Sequence, residues 1–157
     1  MQIYILRHGQ AEPQQTTDEA RNLTVKGRAD IASITRAVTD LKSVQQIWVS
    51  SLVRAQQTAQ IAGDFLVQQG VNISLKTTDL LMPEGAPSLL FDALQNVQLE
   101  SILLVSHQPL VGQVIDLLCG SYSGYHPMNT SSMACVDCEI VAAKMGKLRW
   151  LRHVDEQ

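Results

Sequence analysis

Two short segments of this chain are apolar at every position: Ile3-Tyr4-Ile5-Leu6 near the start, and Ile102-Leu103-Leu104-Val105 well past the middle. A strand with one wet face alternates apolar and polar side chains, so a run without alternation has to be covered on both sides. Neither run approaches the ~20 residues of a membrane-spanning helix. Both are therefore expected to be central strands of a mainly parallel sheet, with helices packed on each face.

The intervening segments supply those helices. Ile31, Ile34, Val38 and Leu41 recur at helical spacing behind Thr24, a suitable N-cap. QIWVS reads as a strand, and Leu52, Ala55, Ala59, Ala62 and Leu66 mark one face of a second helix, with Ser51 as its expected cap and Gly70 as its stop. A short VNISLK strand and a turn-rich LMPEGAP segment lead to a helix carrying Leu89, Leu90, Ala93, Leu94 and Val97. After SILLVS, Pro109 suits a first helical turn, Leu110, Val111, Val114, Ile115 and Leu118 form a core face, and Gly120 suits its end. SYSGYHPMNTS is a loop by composition, and SMACVDCEIV and KLRWLRHV read as two strands joined near Met145 and Gly146. The pattern predicts one three-layer α/β/α domain over residues 1–157, its sheet mostly parallel, with an antiparallel hairpin at one edge.

Charge narrows the partners. The net charge is -3 with no basic block, which argues against nucleic acid or an anionic membrane as a partner and makes any positive site local. The first apolar run is too short for a signal peptide, so a cytoplasmic protein is expected. Cys135 and Cys138 form a CxxC, but on a strand residues three apart face opposite ways, so small buried thiols are expected there rather than a chelate or redox pair. Trp48 and Trp150 read as packing residues, and His126 and His153 as surface residues.

In open α/β sheets ligands bind beyond the carboxyl ends of the parallel strands. Arg7 and His8 follow the first strand, Ser50, Ser51 and Arg54 the second, and Ser106 and His107 the SILLVS strand. Arg54 falls in the first turn of its helix, where the macrodipole disfavours a cation by roughly 0.3–1 kcal/mol, and the placement makes sense if an anion binds there. With no carboxylate cage in view, the expected site holds an anion and no metal. Repulsion from Arg7 and Arg54 should keep at least one imidazole neutral and nucleophilic. Such a site favours phosphoryl transfer through a phosphohistidine, the arginines binding the equatorial oxygens.

Four ordered motifs, RHG at 7–9, LTVKG at 23–27, SSLVRAQQTA at 50–59 and SHQPLVG at 106–112, resemble those of the histidine phosphatase, or phosphoglycerate mutase-like, superfamily, and most closely its short SixA-type phosphohistidine phosphatases. The resemblance implies a catalytic pair, His8 as nucleophile and His107 as the residue that stabilises the transferring group. It also implies phosphate-binding Arg7, Arg54 and Arg21, no cofactor, and a phosphohistidine-bearing protein partner such as a phosphotransfer domain or phosphocarrier. Thr24 and Gly27 read as helix-start residues.

The chain departs from the larger phosphatases and mutases of that superfamily at one point. They carry an acidic residue after the third strand that protonates a departing alkoxide, and here only Glu84 of LMPEGAPS lies near that position, where it reads as a turn residue. The segment leaves no room for a capping insertion. An open site without a firm general acid suits phosphohistidine; a phosphatase or mutase for small phosphate monoesters is the alternative and would need Glu84. A catalytically idle phosphoprotein-binding domain is a third reading, opposed by the presence of both His8 and His107.

Overall fold

The computed structural model describes residues 1–154. Its strands are β1 (Gln2–Arg7), β2 (Gln46–Val49), β3 (Ser74–Thr77), β4 (Ser101–Ser106), β5 (Met133–Cys138) and β6 (Gly146–Arg152). Its helices are α1 (Val25–Ala37), α2 (Val53–Gln68), α3 (Pro87–Asn96) and α4 (Leu110–Cys119). The strands form one sheet in the order β3-β2-β4-β1-β5-β6. β4 pairs in parallel with both β1 and β2, and β2 with β3, while β5 runs antiparallel to β1 and to β6. The mostly parallel sheet with an antiparallel hairpin at one edge agrees with the sequence reading.

Strand periodicity explains the unalternated runs. Ile3, Ile5, Trp48, Ile102 and Leu104 pack with Leu90, Leu94, Leu110, Val114 and Ile115 of α3 and α4. The intervening residues Tyr4, Leu6, Ile47, Val49, Leu103 and Val105 pack with Ile31, Ile34, Ala55, Ala59 and Ala62 of α1 and α2. Each of these central strands, β1, β2 and β4, therefore feeds two cores, one per face, and each fully buried aliphatic side chain contributes roughly 1.5–3 kcal/mol of transfer free energy. Cys138 joins the first cluster and Cys135 the second. Both are free thiols; burial pushes Cys138 upward and Cys135 up to about 12, so neither is primed to react.

The helices differ from expectation in three details, two at their ends and one on a buried face. α1 stops at Ala37 instead of reaching Leu41, which packs into the same core from a 3-10 turn, Thr39–Ser43. Ser51 does not cap α2: the cap residue is Leu52, and Ser51 is exposed with its hydroxyl 3.5 Å from Met82 Sδ. The carbonyl of Glu19, from the loop after β1, accepts the Val53 N–H at 3.1 Å and does part of the capping instead. On α3 it is Phe91 that is buried, whereas Leu89 is 57% exposed. Thr24 caps α1 as expected, accepting from Gly27 N–H at 2.9 Å, and Gly120 ends α4 with φ 70°.

Two glycines let the loop after β1 lie directly on α1. A Cβ at Gly9 would meet the Gly27 carbonyl oxygen at 2.8 Å, and one at Gly27 would collide with the Gln10 carbonyl. The glycines of the RHG and LTVKG motifs are thus a matched pair, and their contact anchors the chain immediately after His8.

Candidate active site

Register brings the three central strand ends to one level. Arg7 lies opposite Ser106, and Val49 opposite Val105. The next residues continue the pattern: His8 N–H donates to the Ser106 carbonyl at 3.0 Å, and Ser50 N–H to the Val105 carbonyl at 3.3 Å. A cavity of about 500 Å³ opens above these ends, lined by Arg7, His8, Asp18, Arg21, Arg54 and His107, with Gln10, Ala11, Pro83, Gln108 and Thr130. The structure therefore brings His8, His107, Arg7, Arg21 and Arg54 together around one cavity.

His8 is 6% exposed, and its Nδ1 lies 2.7 Å from the Gly9 carbonyl oxygen. A carbonyl only accepts, so Nδ1 is the donor and carries the proton. With the ring neutral, Nε2 holds a free lone pair. Burial, the largest cause, pushes the His8 pKa down to about 4; Arg54, Arg7 and Arg21 add repulsion, against the hydrogen bond to Gly9. Burial likewise pushes His107 down to about 3, with His8, Arg54 and Arg7 adding to it against Asp18. Both imidazoles are neutral near pH 7, in the expected direction. Repulsion from the arginines, the expected cause, is smaller than desolvation.

The guanidinium groups are held by backbone. Arg7 donates from Nη1 to the Met128 carbonyl at 2.8 Å, and Arg54 from Nη1 to the Asp18 carbonyl at 2.9 Å. Arg21 donates from Nε to the Glu12 carbonyl at 2.8 Å, with its side chain 28% exposed. Arg7 Nε, Arg54 Nε and His107 Nδ1 are buried without a hydrogen-bond partner. Buried polar groups left unmade cost roughly 1–3 kcal/mol each, so two guanidinium N–H groups and a ring nitrogen without partners, on residues lining one cavity, mark a place suited to a polar ligand.

Sequence reasoning missed a carboxylate. Asp18 lies among the lining residues, with Oδ1 3.2 Å from Arg21 Nη1 and Oδ2 3.2 Å from Arg54 Nη2. Arg21 first, with Arg54, holds its carboxyl below the usual carboxylate range, so it is ionised. It sits in a stretch with no periodicity to place it, and only its three-residue distance from Arg21 hinted at the pair. Glu84 lies elsewhere: it is exposed, and lines a neighbouring groove with Thr78, Asp79, Leu80, Met82 and Leu89.

The loop after α4 also departs from expectation. His126 is buried, not a surface residue: its Nδ1 is 2.8 Å from Asp116 Oδ1, and the same oxygen accepts the His126 N–H at 3.0 Å. Asp116 thereby pins the segment that ends in Met128, the acceptor for Arg7. Ser131, buried with φ 64°, donates its N–H to the carbonyls of Arg7 and His8 and closes that segment on β1. His153 is half-buried, with Nδ1 against Ser132 Oγ. Among the described residues, no group of three or more His, Cys, Asp or Glu side chains is placed to hold a metal ion, and no helix is long and apolar enough to cross a membrane.

Comparison with known proteins agrees with this geometry. The family description "histidine phosphatase superfamily (branch 1)" matches residues 3–81. The chain is 31% identical over 140 residues to the phosphohistidine phosphatase SixA of Escherichia coli, covering 84% of this chain and 81% of that protein. It is 32% identical over 133 residues to the SixA homolog of Haemophilus influenzae, covering 76% and 78% of the two. A solved structure of the protein histidine phosphatase SixA complexed with tungstate superposes with a TM-score of 0.85 at 29% identity, over 99% of each chain.

Proposed function

This chain belongs to the histidine phosphatase superfamily, and from that premise we propose that it removes phosphoryl groups from phosphohistidine on proteins, with His8 as the covalent nucleophile. The observation that carries the reading is the hydrogen bond from His8 Nδ1 to the Gly9 carbonyl, which leaves a neutral Nε2 lone pair among three arginines.

In the first step His8 Nε2 attacks phosphorus, and the P–N bond of the substrate breaks. Its electron pair stays on the departing nitrogen, and the leaving imidazole, protonated on its other nitrogen, departs neutral. His8 becomes phosphorylated on Nε2 and cationic, and the Gly9 carbonyl stabilises the proton on Nδ1. In the second step water attacks phosphorus as the P–N bond to His8 breaks: the electron pair returns to Nε2, inorganic phosphate departs carrying the water's protons, and His8 leaves as the same Nδ1–H imidazole with which it began. Both leaving groups are thus imidazoles already protonated at the far nitrogen. Arg7, Arg54 and Arg21 take the phosphoryl oxygens, and His107 stabilises the charge that spreads over them.

The choice of phosphohistidine over an alkyl ester rests on the carboxylates. Asp18, the one carboxylate among the residues lining the cavity, is ionised by its two arginines and has no proton to give an alkoxide, while Glu84 lines the neighbouring groove. The partner is a protein that displays phosphohistidine on its surface, such as a phosphotransfer domain or phosphocarrier, since the short segment between β3 and β4 leaves no room for a capping insertion.

The test is to mix the protein with a radiolabelled phosphohistidine protein and quench without acid. Wild type should retain an acid-labile label, and His8→Ala none. Label bound to the His8→Ala protein would overturn the assignment.

A further inference from the structure

We propose that Ser50 is a positioning residue that fixes the tautomer of His107, so that Nδ1 of that ring is an N–H donor to the phosphoryl group being transferred. The inference rests on the reading of the cavity as a phosphoryl-transfer site.

Ser50 follows the last residue of β2, and its backbone is held from two sides. Its N–H donates to the Val105 carbonyl at 3.3 Å, and its carbonyl accepts from Gln56 Nε2 at 2.8 Å. Sheet register therefore aims its hydroxyl at the first residue beyond β4. Ser50 Oγ lies 2.5 Å from His107 Nε2, and both residues are buried, at 0% and 1% exposure. The other ring nitrogen, Nδ1, is buried without a partner in the protein, and His107 lines the cavity.

A neutral imidazole carries one N–H and one lone pair, so the contact with Ser50 has two possible senses. If Nε2–H donated to Oγ, the serine hydroxyl hydrogen would need a second acceptor. His107 is the partner this hydroxyl has. In that sense Nδ1 would also turn a lone pair toward an anionic group. If instead Oγ–H donates to Nε2, the hydroxyl is satisfied and Nδ1 bears the hydrogen. The second sense leaves no buried polar atom of the pair in conflict with an oxygen-rich ligand.

The consequence is a defined role for His107. It is a neutral donor whose hydrogen bond strengthens as charge builds on the equatorial oxygens, and it transfers no proton itself. Arg7, Arg54 and Arg21 supply the positive charge, while His107 supplies direction. Serine suits the task because its hydroxyl both reaches Nε2 from the end of β2 and fits the fully buried position.

Nitrogen-15 NMR of the histidine side chains, recorded without substrate, tests the proposal directly. Wild type should show His107 protonated on Nδ1; protonation on Nε2 would overturn it. In Ser50→Ala the ring should move toward the Nε2–H tautomer, and kcat should fall by ~10–100-fold with KM little changed. An Nδ1–H signal and kcat that both persist in Ser50→Ala would also refute it. The wild-type spectrum decides even if Ser50→Ala fails to fold. An Nδ1–H tautomer in a protein that forms no phosphoenzyme on His8 would sink the phosphatase reading while leaving the Ser50 contact intact.

Discussion

The rings of His8 and His107 lie 5.0 Å apart and tilted by 52°, at the ends of neighbouring strands whose last residues, Arg7 and Ser106, face each other in the β1–β4 ladder. Two imidazoles this close cannot both be protonated cheaply, and Arg54 and Arg7 raise the cost. The folded protein therefore holds both neutral, which ties the site to the stability of the whole fold.

That link predicts acid sensitivity in a defined window. An unfolded histidine takes up a proton near pH ~6.5, whereas the folded rings do so only near about 4 for His8 and about 3 for His107. Between those values the unfolded state binds more protons, so the stability contribution is complete above the unfolded pKa and is lost as pH falls toward the folded ones. Each ring should contribute a slope of up to about 1.4 kcal/mol per pH unit in the middle of the window. Urea unfolding from about pH 7.5 to about pH 5 should show this decline, and His107→Asn should flatten it by one ring's share. A slope that the substitution does not change would contradict the shift.

Arg54→Ala should lower kcat/KM by ~10²-fold or more, the scale for one preorganised donor to transition-state charge. Arg54 is 5% exposed and also holds Asp18 through both backbone and side chain. Its loss should therefore loosen the loop after β1 as well, visible as faster amide exchange there. Arg54→Lys should rescue little, because an ammonium cannot reproduce the fork of contacts. Turnover near wild type in a folded Arg54→Ala protein would refute the role.

Strand-end chemistry was legible in the sequence because it depends on short-range pattern. Unalternated runs require two-sided burial, two-sided burial implies a parallel sheet, and such a sheet fixes where Arg7, His8, Ser50, Arg54 and His107 must gather. Contacts set by irregular backbone were not legible. Asp18 reaches Arg54 from a loop with no period, and His126 is buried because Asp116, ten residues earlier on α4, offers it a carboxylate. Ser51 looked like a cap by residue type, yet the Glu19 carbonyl took the Val53 N–H instead. A side-chain preference of about 1 kcal/mol yields readily to a tertiary contact of similar strength.

Substrate choice gives the most discriminating prediction. An alkyl phosphate ester leaves as an alkoxide and needs a proton in the transition state, whereas phosphohistidine leaves as an imidazole protonated in advance. General-acid help is worth ~10²–10⁴-fold, so without it phosphohistidine should be preferred over an alkyl phosphate by at least that order. The carboxylates to weigh are Asp18 in the cavity and Glu84 in the neighbouring groove. Asp18 is ionised by Arg21 and Arg54, and Glu84 is exposed in the groove beside Thr78 and Leu89. Glu84→Gln should therefore leave phosphohistidine turnover almost unchanged and alkyl-ester turnover slow in both proteins, measured side by side as kcat/KM. A large loss confined to alkyl esters would instead make Glu84 the acid, and would mean that small phosphate monoesters are the substrates this cavity serves.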